Sequence, residues 1–207
     1  LMGAVGAEKR VARFVLLAAR RRAERGEPAD RMRLHMGRRD VASHLGLAQS
    51  RCYSTWQSML EAERALPAEQ RMELLVIVTP NHLHAPIASA ALSAGFHVFS
   101  EKPAALNLAQ VQDLEHTVSN SQRIYALAHT YLGYAMVWQA REMVANGVIG
   151  RLRKVLVEYP QGWLSSDVAG QGNKQAGWRD NPEQSGIGGC IGDIGTHAFS
   201  LAEFVAG

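Results

Sequence analysis

The sequence predicts an α/β fold: a parallel sheet, followed by the start of an α+β region with a mixed or antiparallel sheet. Three observations predict it. Apolar runs at 73–79 and 96–100 bracket a short helical pattern, a second helix–strand pair follows at 107–131, and beyond residue 130 the apolar period changes. Alternation of buried strand and helix is the signature of βαβ units, whose crossovers are right-handed.

The first strand of the set is "ELLVIVT", 73–79. It is a continuous, β-branched apolar run, which reads as a strand buried on both faces. "PNHLHAPIASAALSAG" comes next, with Ile87, Ala90, Ala91 and Ala94 at helical spacing, Pro86 confined to a first turn and Gly95 suited to a C-terminal cap. "FHVFS", 96–100, is the following strand. In "NLAQVQDLEHTVSN", 107–120, Leu108, Val111, Leu114 and Val118 give an amphipathic helix, and "RIYALAHTY", 123–131, gives a third strand. "MVWQAREMVANG", 136–147, is a helix with Gly147 beyond its end. "RLRKVLVEYPQGWL", 151–164, alternates Val155, Val157 and Tyr159 with Lys154, Leu156 and Glu158, a period of two that predicts a half-covered strand. Residues 165–192 are polar and glycine-rich with no evident element, the mark of a functional loop or linker. The chain closes on "DIGTHAFSLAEFVAG", where Ile194, Ala198, Leu201 and Val205 predict a helix despite Gly195.

The N-terminal quarter is less regular. "RFVLLAA", 13–19, can form a strand, and "SRCYSTWQSMLEAE", 50–63, reads as a loop into a helix. The text between has no clean period, and no structure is assigned to it. Residues 1–40 hold eleven Lys and Arg against five Asp and Glu, a net of +6, whereas the remainder is −3 within the formal +3 of the 207-residue chain. A basic stretch of this kind admits nucleic-acid binding. It carries no helix-turn-helix pattern, zinc spacing or interleaved aromatics, so a solvated face is the reading adopted, with no nucleic-acid partner.

Composition sets further bounds. At 47% hydrophobic and 20% charged, the chain is ordinary for a globular protein. No apolar run approaches the ~20 residues of a membrane span, and "VARFVLLAA", 11–19, is too short and wrongly flanked for a signal peptide. No membrane partner is expected. Cys52 and Cys190 are the only cysteines; neither has metal-ligand spacing, so no metal is assigned and a cytoplasmic location is expected.

Candidate chemistry gathers at the strand ends. In an open α/β sheet, ligands bind outside the carboxyl ends of the strands. Here those ends read Thr79-Pro80-Asn81 with His82 and His84 just beyond, then Glu101-Lys102-Pro103, then His129-Thr130-Tyr131. "SEKPAALN", 100–107, has a plain alternative as a surface loop whose proline stops the strand and opens a helix. Three polar ends converging on one edge make a ligand site the competing reading. A second pair lies in the closing helix. Asp193 and His197 are four apart and share a face, so the carboxylate can orient the imidazole and raise its basicity for general-base work. The alternative is a helix-capping aspartate.

Three segments resemble a known family. "VTPNHLHAPIASAALSAGFHVFSEKPAALN", "GYAMVWQAREMVANGVIGRLRKVLVEY" and "WRDNPEQSGIGGCIGDIGTHAFSLAEFVAG" resemble, in order, the "EKP" segment, the entry to the substrate domain and the "GG…DIGTH" region of the Gfo/Idh/MocA proteins. These are NAD(P)-dependent sugar and polyol dehydrogenases of the glucose-fructose oxidoreductase and inositol dehydrogenase type. The resemblance covers about residues 72–207. It implies a partial Rossmann-type cofactor domain at 1–130 and the beginning of a substrate domain at 131–207. The implied cofactor is NAD or NADP, the substrate a sugar, inositol or related polyol, and the intact protein a homo-oligomer. By resemblance, Lys102 would bind the reacting hydroxyl and the cofactor ribose. His197 would take the hydroxyl proton as hydride leaves carbon, with Asp193 assisting. Thr79, Pro80, Asn81 and His84 would line nicotinamide and ribose with Glu101 nearby, and Trp178 and Arg179 would reach over the cofactor. His129, at the third strand end, is counted with the cofactor-binding residues.

The pattern also departs from the family. No G-x-G-x-x-G is present; "GIGGCIG", 186–192, is a near miss with no strand before it, and "LMGAVGAEKR" resembles the text that follows such a turn. The expectation is a chain truncated at both ends, lacking the first strand and the pyrophosphate-binding turn and binding cofactor poorly. "ARRR", 19–22, would favour NADP by charge. A non-catalytic remnant serving as a binding module is the alternative function.

Overall fold

The computed structural model describes residues 51–162, 165, 166, 170 and 172–207. The candidate strand at 13–19, the arginines at 20–22 and the basic stretch as a whole lie outside these residues. The chain divides into two compact units between Glu63 and Arg64. In the first, helix α1 (Trp56–Ala65) begins after a short turn, as expected for 50–63. Its Glu63 is buried and accepts hydrogen bonds from Tyr53 Oη at 2.8 Å and from the Arg51 guanidinium, whose Nε lies 2.8 Å from Oε1.

The second unit is built on a three-stranded parallel sheet in the order β1 (Leu74–Ile77), β2 (His97–Glu101), β3 (Tyr125–Ala128). Helix α2 (His84–Ser93) connects β1 to β2 and helix α3 (Leu108–Ser121) connects β2 to β3. All five elements fall where the apolar pattern puts them. The core is compact because α2 presents small side chains to the sheet. Ala88 and Ala91 are fully buried, and they let the helix approach Ile77, Val98 and Phe96 closely. Burying Phe96, Leu92 and Val98 contributes on the order of 2 kcal/mol each. Leu114 is the buried residue of α3, which packs against α2 and begins at Asn107, whose side chain accepts from the Gln110 N–H.

β1 differs from the expectation of burial on both faces. Ile77 is buried, but Val76 is 52% exposed, as are Phe99 and Leu74 in good part. Val76 pairs with Phe99 in register, so among the described residues one face of the sheet carries the core and the other has no packed layer.

Beyond β3 the chain turns through Thr130–Gly133 into helix α4 (Ala135–Ala145). The glycine-rich stretch holds two short helices, α5 (Lys174–Arg179) and α6 (Pro182–Ser185). Each starts on an asparagine whose side-chain oxygen accepts backbone N–H groups: Asn173 from Gln175 and Ala176, Asn181 from Glu183. Ile191–Gly195 forms a π-helical turn that runs directly into helix α7 (Thr196–Ala206). α7 packs on α4, with the Trp138 and Phe204 rings edge-to-face at 4.9 Å and the Arg141 guanidinium 4.5 Å from the Phe204 ring.

The strand predicted over 151–164 does not form within its described residues, 151–162. A period of two becomes a strand only with a hydrogen-bonding neighbour, and no strand lies beside this segment among the described residues. Val155, Leu156 and Val157 are exposed in consequence. The mixed or antiparallel sheet is therefore not seen there; the sheet that is seen is parallel.

Candidate functional site

The parallel register aligns the three strand ends. Ile77 pairs with Ser100, Ser100 with Leu127 and Glu101 with Ala128, so Thr79, Lys102 and His129 emerge at one edge of the sheet. The residues just past β1 are tied down locally. His84 opens α2 with its ring buried, Nε2 lying 2.7 Å from the Thr79 carbonyl oxygen and Nδ1 2.7 Å from that of Pro103. Asn81, also buried, donates from Nδ2 to the Ser185 carbonyl at 3.0 Å. This bond brings the α6 segment across the strand ends. Gly186 makes the crossing possible: its φ is +91°, and a Cβ there would lie 3.3 Å from Leu106 Cδ2. The EKP segment forms a corner rather than a helix start, with a cis Lys102–Pro103 peptide and the next helix delayed to Leu108.

At this corner three charges meet. Lys102 Nζ lies 2.6 Å from Asp193 Oδ1 and also donates to the Asp193 backbone carbonyl; Arg179 Nε lies 3.1 Å from Asp193 Oδ2. Gln175, one turn before Arg179 on α5, accepts from Arg179 Nη1 at 2.7 Å and from Trp178 Nε1 at 3.2 Å through Oε1. The Arg179 guanidinium sits 4.2 Å from the Trp178 ring, within cation–π range. Burial pushes the Asp193 carboxyl up, but Lys102 and then Arg179 outweigh it and hold the group below its ordinary range.

The expected Asp193–His197 pair is not made. Asp193 lies in the π-helical turn, which changes its angular relation to His197 from that of a regular i,i+4 pair, and both carboxylate oxygens face cations instead. His197 is buried and is held by ring packing, 4.6 Å from the Tyr131 ring centroid and 6.2 Å from that of His129. The Nδ1 atoms of His197 and His129 are both buried without a hydrogen-bond partner. Burial, and next the Lys102 charge, push both histidines below their ordinary value. The i,i+4 spacing predicts an imidazole of raised basicity; the dominant neighbours are low dielectric and an ammonium, which act the other way. Tyr131 hydrogen-bonds through its hydroxyl to Tyr159, and that bond with burial pushes its phenol up to about 12.

Two clefts share this charged wall. One, of about 290 Å³, is lined by Thr79, Pro80, Asn81, His84, Trp178 and the wall residues Glu101, Lys102, Gln175, Arg179 and Asp193. The other, of about 520 Å³, is lined by the same wall together with Tyr131, Tyr134, Gln161 and His197. The structure thus brings Lys102, Asp193 and His197 to one cleft. It brings Thr79, Pro80, Asn81, His84, Glu101, Lys102, Trp178 and Arg179 to the other, while His129 lines neither and stands beside His197. Tyr131, Tyr159 and Gln175 join the site without having been predicted as part of it. Gln175 had a signal, four residues before Arg179 behind an asparagine cap; Tyr131 was visible as a strand end; Tyr159 stood in a stretch read only for its alternation.

Comparison with known proteins agrees with this architecture. Residues 19–129 match the oxidoreductase family with an NAD-binding Rossmann fold, and residues 137–207 match the GFO/IDH/MocA C-terminal domain. The chain belongs to the Gfo/Idh/MocA oxidoreductase family. An uncharacterised oxidoreductase of Bacillus subtilis is 31% identical over 81% of this chain and 42% of its own length, and a levoglucosan dehydrogenase of Pseudarthrobacter phenanthrenivorans is 31% identical over 74% and 36%. Among solved structures, an inositol dehydrogenase homologue from Azotobacter vinelandii complexed with NAD+ aligns with a TM-score of 0.76 at 33% identity. That alignment covers 81% of this chain and 42% of that one. The chain spans less than half the length of these relatives.

Proposed function

We propose that this chain carries the reaction centre of an oxidoreductase that moves a hydride between NAD(P) and a hydroxyl-bearing carbon of a sugar, inositol or related polyol. The observation that carries the reading is the shared wall of Lys102, Asp193 and Arg179 between two clefts, one at the strand ends and one holding His197. On this reading residues 1–130 form the cofactor domain and 131–207 begin the substrate domain. The relatives whose activities are named are dehydrogenases, which does not favour the non-catalytic module.

The strand-end cleft fits a nicotinamide riboside. It is lined by Thr79, whose hydroxyl is buried without a hydrogen-bond partner among the described residues, and by Trp178, whose indole offers an apolar face suited to a flat ring. Bound there, the nicotinamide supplies hydride-accepting chemistry. The chain's own residues do the rest. Lys102, fixed by Asp193, presents a cation to the reacting oxygen, where it stabilises developing negative charge. Burial, and next that same cation, hold His197 below its ordinary value, which favours the unprotonated form that can accept the hydroxyl proton. Asp193 orients Lys102, and Arg179 completes the neutralisation of Asp193. Tyr131, its hydroxyl bonded to that of Tyr159, and Gln161 give the second cleft polar groups suited to a polyol.

The test is NAD(P)H formation at 340 nm with a panel of sugars and polyols, NAD and NADP being tried separately. Lys102→Ala and His197→Ala are each expected to lower turnover by about 10²-fold or more with circular dichroism unchanged. Near-normal rates in both would overturn the assigned roles.

A further inference from the structure

We infer that His84 is a positioning residue for Lys102, a clasp that fixes the corner from which the ammonium projects. The resemblance places His84 against the cofactor. The geometry gives it a different role, because its two ring nitrogens lie 2.7 Å from the carbonyl oxygens of Thr79 and Pro103, one at the end of β1 and one at the turn after β2. Both partners are acceptors. A neutral ring donates to one of them according to tautomer, and the doubly protonated ring donates to both. With both nitrogens facing backbone, the ring offers a ligand no hydrogen bond, and at 1% exposure it is among the most buried side chains of the described residues.

The second carbonyl is what links the clasp to the chemistry. The Pro103 oxygen belongs to the residue that follows Lys102. Lys102 is thus held at three points: its N–H by the Glu101 carboxylate at 3.3 Å, its Nζ by Asp193, and the adjoining backbone by His84. The His84 ring, at 1% exposure, is the most buried of these holding groups, and it grips backbone rather than the ammonium, so it persists when a ligand competes for Nζ. Histidine suits the position because its opposed nitrogens span two strand ends from the rigid first turn of α2. Positional error near 1 Å at a reacting group costs about 10²-fold in rate, which is why a buried clasp one residue from the ammonium matters. The placement concerns this chain alone; its catalytic meaning rests on the oxidoreductase reading.

Competitive acylation tests it without cofactor. Acetic anhydride labels lysines in proportion to their free-amine accessibility, and the exposed Lys154 serves as the internal reference. His84→Ala is expected to raise Lys102 labelling relative to Lys154 by about fivefold to tenfold, the opening that follows loss of buried hydrogen bonds. His84→Gln, which keeps one N–H donor, should give a smaller rise, above about twofold. Leu92→Ala, a core deletion on the same helix, should lower thermal stability and leave Lys102 labelling within about twofold of wild type. The clasp is overturned if folded His84→Ala stays within that margin, or if Leu92→Ala raises labelling as much as His84→Ala does. Should His84→Ala fail to fold, His84→Gln decides: a rise supports the clasp and wild-type labelling overturns it. Because no step uses cofactor or substrate, its failure is separable from failure of the hydride-transfer reading.

Discussion

The two sides of the second cleft are built differently. The Lys102 side is saturated: an ammonium, a guanidinium and a carboxylate are paired, and a glutamine braces the arginine. The His197 side is held by shape. Its imidazole packs between Tyr131 and His129, and the buried Nδ1 has no partner. Charge fixes one wall and packing the other, so each should fail under a different insult. The side held by charge is vulnerable to loss of one partner; the side held by packing is vulnerable to the proton.

The largest effect should follow from breaking the charged wall. Asp193→Ala takes away the carboxylate that both Lys102 and Arg179 contact, and Lys102 is only 11% exposed. Removing one partner of such a cluster is strongly destabilising; with the partial exposure of Arg179, a loss of about 2 kcal/mol is expected in urea denaturation. The same substitution should lower the His197 titration further, because the Asp193 charge, followed by that of Glu101, raises it against burial, Lys102 and His129. A loss below about 0.5 kcal/mol, the size of a solvated surface pair, would make the two walls alike.

A middle-sized effect separates the walls by pH. His129 and His197 titrate below the ordinary 6.5 in the folded chain. As pH falls, the unfolded chain therefore takes up protons first. The stability tied to the neutral rings is complete above 6.5 and is lost as pH drops through their folded values. Asp193, held below the ordinary 3.8, adds stability that is complete above that value and lost only on further acidification. Chemical denaturation across pH should show two windows. His197→Gln and His129→Gln should flatten the upper one, and Asp193→Asn the lower. A slope below pH 6.5 that both glutamine variants leave unchanged would show that the packed wall does not sense protons.

The contrast also explains what the sequence could announce. The sheet and its helices were legible because their apolar periods are satisfied locally: Ala88, Ala91 and Leu92 bury on the strands that flank them in sequence. The strand ends followed from the same pattern, and with them Thr79, Lys102 and His129. What escaped depends on partners distant in sequence or on irregular backbone. The 151–162 alternation has no ladder among the described residues, so periodicity alone misread it. The open face of β1 is a tertiary property that the run "LLVI" does not encode. Nothing in "IGDIGTH" marks a π-helical turn, so the spacing of Asp193 and His197 suggested a pair that the backbone does not make. α5 and α6 were hidden in a glycine-rich stretch, although Asn173 and the Asn181-Pro182 pair are recognisable helix starts.

The smallest expected effect sharpens the packed wall itself. Tyr131 is pushed up to about 12 first by its hydrogen bond to Tyr159 and then by burial. Tyr159→Phe removes the bond and keeps the ring that packs at 5.7 Å, so stability should change by about 1 kcal/mol or less. The Tyr131 phenol should nevertheless ionise closer to its ordinary 10.0, visible as earlier tyrosinate absorbance in an alkaline titration and assignable by a Tyr131→Phe control. His197 should titrate as before, because the causes of its shift are burial, Lys102, His129, Asp193 and Glu101, with Tyr159 not among them. An unmoved Tyr131 titration would mean that burial alone sets it, and the hydroxyl pair would then have no part in shaping the cleft. A shift in His197 as well would mean that Tyr159 reaches the imidazole through Tyr131, making the packed wall a connected network rather than a set of independent contacts.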